Sequence, residues 1–246
     1  LIPDPYADRE SYRTRQDARD LRYFRVSVDE TDLCIGARLP LREEALAAVL
    51  EARSQVLAAI RDRPRFRTSL EPLRAHGTET PLIREMLEAG RLAGVGPMAA
   101  VAGAIAQYVG RALAPRSREL AVENGGDVFL MGEKPRSVAV LAGDSPLSGL
   151  LAVSVVPGDG LGVCTSSGTV GHSLSLGRAD AALVIADSCA LADAAATRLG
   201  NLACDPACLD GPLDEICAVP GVRGALVIAG DRIGIKGDVV IQSVKG

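Results

Sequence analysis

The chain has 246 residues, 48% of them hydrophobic, with a formal net charge of −4 and no tryptophan. That content suits one large core, either a single domain or two intimately packed halves, and it leaves no basic footprint for nucleic acid. Aromatics at 3% argue against a stacking platform for single strands, and no apolar run reaches the roughly 20 residues that a membrane helix needs.

In chain order, the early arginines (Arg9, Arg13, Arg15, Arg19, Arg22, Arg25) interleave with acids, as on a solvated face. "YFRVSV" and "LCIGAR" flank a short acidic turn and predict a hairpin. From Leu41 to Arg61 the period becomes helical, with Leu46, Val49, Leu50, Val56, Leu57 and Ile60 on one stripe, and Pro64 stops it. Pro81, behind Thr80 as N-cap, opens the next helix through Ile83, Met86 and Leu87. "GPMAAVAGAIAQYVGRAL" is rich in Ala and Gly; a helix with so few large side chains can approach its neighbours closely, so it is expected at the centre. "ELAVE" and "DVFLM" then read as strands joined through Gly125-Gly126.

The second half follows a similar order. "VAVLAG", "LLAVSVV", "LGVCTS" and "DAALVIA" read as strands, followed by a helix "CALADAAATRLGN" and a shorter one over Leu213 to Ala218. Three short strands joined by Gly-Asp hairpin turns, in "GALVIAG-D-RIGIK-GD-VVIQSV", close the chain. Strands segregated from helices and joined by hairpins predict an α+β fold with a largely antiparallel sheet. One domain over 1–246 is expected, with two structural half-repeats at about 20–132 and 133–246, although no residue-level repeat is visible.

Six cysteines are too few for a disulfide scaffold, and Cys34, Cys164, Cys189 and Cys217 sit in apolar company. Small buried thiols in a reducing cytoplasm are the expectation, and no secretory signal pattern is visible. Cys204 and Cys208 lie near each other, but no second pair completes a zinc site.

Three stretches carry possible chemistry. On a helix, Asp193 and Thr197 project their oxygens from one face a turn apart, as two legs of a hard-cation site suited to magnesium; on spacing alone, a cap and a tolerated threonine explain them better. "ENGGDV" (Asn124, Gly125, Gly126, Asp127) is a preferred hairpin turn, and also bare backbone that a phosphate or cation can approach. "TSSGTVGH" is a polar hairpin, or else offers Thr165, Ser166, Ser167 and Thr169 to phosphate oxygens, with Gly168 admitting the ligand. His172 follows it, placed as a general base or as a structural histidine; His76, in a polar loop, promises little.

Together, "VGPMAAVAGAIAQ", "AVENGGDVFL", "TSSGTVGHSLSLGRADAA" and "LADAAATRLGN" resemble the ApbE superfamily, the FAD:protein FMN transferases, and more closely a shorter ApbE-like branch. The resemblance runs from about Val26 to the C-terminus and implies a duplicated antiparallel α+β core of the T-fold kind. It implies that Asp193, Thr197 and the Asn124 carbonyl hold Mg2+, and that Thr165, Ser166, Ser167 and Gly168 line the FAD pyrophosphate. His172 would match the family histidine, and the acceptor would be a threonine of a client protein, or water. The family continues its histidine into His-x-x-Asp-Pro, whereas "HSLSLGRAD" has neither the Asp nor the Pro at those places. A non-catalytic protein that binds a flavin or nucleotide, or aids assembly of a partner, is therefore the alternative.

Overall fold

The computed structural model describes residues 20–167 and 179–244. Among the described residues there are eleven strands: β1 (Arg22–Val28), β2 (Thr31–Ala37), β3 (Leu120–Asn124), β4 (Asp127–Gly132), β5 (Arg136–Ala139), β6 (Leu151–Val155), β7 (Gly158–Ser166), β8 (Ala181–Ala186), β9 (Val222–Ala229), β10 (Arg232–Gly237) and β11 (Val240–Ser243). Eight form one sheet in the order β1-β2-β3-β4-β7-β8-β9-β10, with every neighbouring pair antiparallel. The others form a small sheet, β11-β6-β5. The helices are α1 (Arg42–Asp62), α2 (Arg65–Thr68), α3 (Pro81–Ala93), α4 (Val101–Leu113, entered through a 3-10 turn at Pro97–Ala100), α5 (Cys189–Leu202) and α6 (Asp210–Cys217). The expected mixture of helices and antiparallel sheet is what the chain adopts. No single described helix is long and apolar enough to cross a membrane.

Strand chemistry explains the layering. β8, "AALVIA", is apolar throughout because both of its faces are covered. Ala182, Val184 and Ala186 face a core shared with the helices, while Ala181, Leu183 and Ile185 face a second core closed by Val138 and Val153 of the small sheet. Phe129 and Val128 on β4 divide between the two cores in the same way.

α4 lies at the centre, as its small residues lead one to expect: Gly103, Ala104, Ile105, Ala106, Val109 and Gly110 are all buried. A Cβ on Gly103 would stand 2.3 Å from the Cys189 carbonyl oxygen, and one on Gly162 of β7 would stand 2.4 Å from the Cys189 Cα. α5 therefore approaches both the sheet and α4 by backbone, which only glycine at those two positions allows.

Two expectations need correcting. The buried stripe of α1 is Ala45, Ala48, Val49, Ala52 and Val56, whereas Leu46, Leu50 and Leu57 are 40%, 51% and 58% exposed. The helix carries two apolar stripes, and the alanine-bearing one fits the close packing against β1 and α4. The second Gly-Asp turn also makes no hairpin: β10 pairs with β9 as expected, but β11 leaves β10 and pairs with β6 in the small sheet.

Candidate functional site

The β3–β4 connection is a two-residue turn in which Asn124 pairs with Asp127 and the intervening Gly125 and Gly126 have φ of 67° and 107°. Positive φ at both central residues matches the twist of the flanking strands and strongly favours glycine. A Cβ on Gly125 would meet nothing within 4 Å, and one on Gly126 would stand 3.7 Å from the Thr165 carbonyl oxygen. The turn thus exposes bare backbone beside the end of β7, where Asp127 is the register partner of Cys164.

Asp193 sits in the second turn of α5, whose own N-cap is Ser188. Its carboxylate reaches across to the start of α4 and accepts the Gly103 N–H at 2.9 Å, with the Ala102 N–H as a further donor. It therefore caps a helix other than its own, where unsatisfied amides and the helix dipole favour negative charge. α4 returns the link: buried Gln107 accepts the Cys189 N–H, the first amide of α5, at 2.8 Å, while its own amide donates to Glu85 at 2.6 Å. Asn124 joins the same place by donating from Nδ2 to the Ala102 carbonyl at 3.0 Å.

Asp127 and Asp193 are both buried, and they interact. Burial pushes the Asp193 carboxyl up to about 7, with the backbone donors opposing the rise. Burial raises Asp127 well above the usual carboxylate range, and the charge on Asp193 pushes it in the same direction. Among the described residues, the forces restraining these shifts come from a thiol and backbone amides, not from a cationic side chain. Beside them lie Cys164 and Cys189, with their sulfurs 3.5 Å apart. Burial raises both thiols, which disfavours the thiolate form.

The structure thus brings together Asn124, Gly125, Gly126, Asp127, Thr165 and Asp193. Ser166 and Ser167 follow Thr165 at the end of β7, half-buried, and Thr197 is half-buried one turn beyond Asp193. Gly168, Thr169 and His172 lie outside the described residues. Sequence reasoning missed Gln107 and the role of Asp127 as partner to Asp193. A polar residue inside an otherwise apolar Ala/Gly helix was the available signal for Gln107.

Among the described residues no group of three or more His, Cys, Asp or Glu is placed to hold a metal ion. The two buried carboxylates are nevertheless oxygen donors of the kind a hard cation takes. The Ser166 hydroxyl oxygen is buried without a hydrogen-bond partner among the described residues, and the Gly125 Cα borders open space, as phosphate oxygens would require.

The family model described as AbpE bacteria matches residues 13–210. A UPF0280 protein of Methanocella arvoryzae is 41% identical over 215 residues, covering 87% of each chain. One from Archaeoglobus fulgidus is 44% identical over 187 residues, covering 74% of this chain and 76% of that one. Among solved structures, the ApbE protein of Thermotoga maritima superposes with a TM-score of 0.58 at 14% identity, covering 87% of this chain and 96% of that one. The apo flavinyl transferase ApbE of Pseudomonas stutzeri gives 0.56 at 17% identity, covering 90% and 95%. At such identities the structures speak for the fold; the family match and the UPF0280 relatives speak for descent, and by them the chain belongs to the AbpE bacteria family.

Proposed function

We propose that this protein binds FAD or a related dinucleotide pyrophosphate together with Mg2+ in the cleft between "ENGGD" and the end of β7, and transfers the flavin phosphoryl half to an acceptor. The observation that carries the proposal is the pair of buried carboxylates, Asp127 and Asp193, beside a bare two-glycine turn, with no cationic side chain among the described residues restraining their raised pKa values. The flavinyl transferase named among the structural neighbours supplies the reaction class.

In this reading Asp193, Thr197 and the Asn124 carbonyl hold the ion, with Asp127 adding its charge. Bound magnesium would neutralise the pyrophosphate and the departing AMP. Asp193 is kept in place by the amides of α4, and Gly125 and Gly126 leave the backbone open to phosphate oxygens. Thr165, Ser166 and Ser167, continuing to Gly168 and Thr169, donate hydrogen bonds to those oxygens. His172 takes the proton from the acceptor hydroxyl, a threonine of a client protein or water. The two four-strand runs of the large sheet, β1–β4 and β7–β10, are read as the duplicated halves of a single domain.

Incubation with FAD and Mg2+, followed by chromatography for AMP, tests the proposal. AMP should be released by the wild type and lost in Asp193→Ala. His172→Asn should lower turnover by ~10²–10⁴-fold with FAD binding little changed. Flavin binding without AMP would support the binding-protein alternative that the absent His-x-x-Asp-Pro suggests, and no binding at all would defeat both.

A further inference from the structure

We propose that the outer face of α1 is where a second copy of this chain docks, antiparallel, about a two-fold axis near position 52. Single exposed leucines are ordinary on a protein surface. Here Leu46, Leu50 and Leu57 lie within about 40° of one another around the helix, and they face roughly 130° away from the buried alanine stripe at 100° per residue. They form an apolar ridge pointing into solvent.

Charge selects both the occupant and its direction. Glu43 and Arg61 stand at opposite ends of the ridge, nine positions either side of 52 and on the same edge of the face, and both are exposed. An antiparallel two-fold pairing sets Glu43 against the partner's Arg61 and Leu46 against the partner's Leu57, and repeats both contacts by symmetry. A parallel pairing would oppose Glu43 to Glu43 and Arg61 to Arg61, which is repulsive. The existing contact of Arg61 with Asp62, at 3.5 Å and fully on the surface, is weak competition. A face complementary to itself in charge suits an identical chain better than an unrelated partner.

The size of the face predicts the strength. A helix of 21 residues is about 31 Å long, so a strip some 10 Å wide covers about 300 Å² per copy, against about 800 Å² in a standard interface. The dimer should be weak and its population dependent on concentration.

Sedimentation equilibrium of the full chain, up to ~100 μM because an interface below standard size binds weakly, should show a monomer–dimer equilibrium. Leu50→Glu and Leu57→Glu should each leave only monomer. Glu43→Arg and Arg61→Glu, both at exposed positions, should each raise the dissociation constant by ~10-fold or more, and the double reversal should return it to within ~3-fold of wild type. That rescue separates an interface from mere damage to the fold. A monomeric wild type at every concentration, a dimer that survives both leucine changes, or a double reversal no better than the single ones would each overturn the proposal.

Discussion

Among the described residues, buried carboxylates occur in two places, and they are built in opposite ways. At one edge, Glu119 sits against Arg136 at 2.7 Å with both side chains under a tenth exposed; Asp20 accepts from the same guanidinium at 2.9 Å and from Lys134 at 2.9 Å. Hydrogen bonds from Arg136 and Lys134 hold the Asp20 carboxyl well below the usual range. Around Asp127 and Asp193 the restraining contacts are a thiol and backbone amides, and both carboxyls are raised. The first cluster carries its counter-charge covalently, so it is complete once the chain folds. The second keeps its charge problem in the folded state, and such sites are where ligands and chemistry concentrate.

The contrast can be broken most forcefully at Arg136. Arg136→Met should cost about 3–5 kcal/mol in urea unfolding, because buried Glu119 is left with only the more distant Arg38, at 3.9 Å, as counter-charge. Asp193→Asn, which keeps an oxygen for the α4 amides, should instead stabilise the metal-free protein at pH 8. Two losses of similar size would show that the clusters are equivalent.

Magnesium should next sharpen the difference. At a hundred times its dissociation constant it should stabilise the wild type by about 2.7 kcal/mol. Calorimetry should find that gain abolished by Asp193→Ala. In Glu119→Gln, far from the glycine turn in the strand register, it should persist.

Gly103→Ala probes the placement of Asp193. Helix propensity alone favours Ala by about 1 kcal/mol, but the new Cβ would collide with the Cys189 carbonyl 2.3 Å away. A net loss of about 1–3 kcal/mol, together with a smaller magnesium response, is expected from overpacking at that contact. Thermal melts with and without the ion read both.

The finest distinction is a slope with pH. Asp193 has a folded-state value of about 7 against an ordinary 3.8, so the folded protein binds that proton more tightly than the unfolded chain. Its contribution is most favourable below the unfolded value and is lost as pH rises from about 4 to about 7. The lowered Asp20 acts oppositely: its stabilisation is present above the unfolded value and is lost as pH falls. The gain in melting temperature from Asp193→Asn in metal-free protein should therefore grow between pH 5 and pH 8. A constant gain would argue that Asp193 is already ionised without penalty.

Local signals carried far in this chain. Two glycines between apolar strands specified the β3–β4 turn, and the Ala/Gly run specified a central helix, because these signals depend on neighbours in sequence. The stripe of α1 was misread for the opposite reason: leucines outrank alanines in any apolar count, yet contact at close range selects the smaller residues. The meeting of Asp127 with Asp193 joins a hairpin in the first half to a helix in the second. Residues 66 positions apart come together only through the β4–β7 pairing and the seating of α5. The cross-capping of α4 by Asp193 was hidden likewise, since a carboxylate near a helix start suggests a cap for its own helix.

The crossing of β11 into the small sheet has a bearing on how the molecule is made. The core beneath Val138, Val153 and Leu183 is shielded by a sheet whose β6 strand is flanked by β5, made early, and by β11 at Val240–Ser243. During synthesis that apolar surface therefore stays partly open until nearly all of the described chain has been translated. A nascent or prematurely ended chain would present it, with one unpaired edge of β6, to whatever lies nearby.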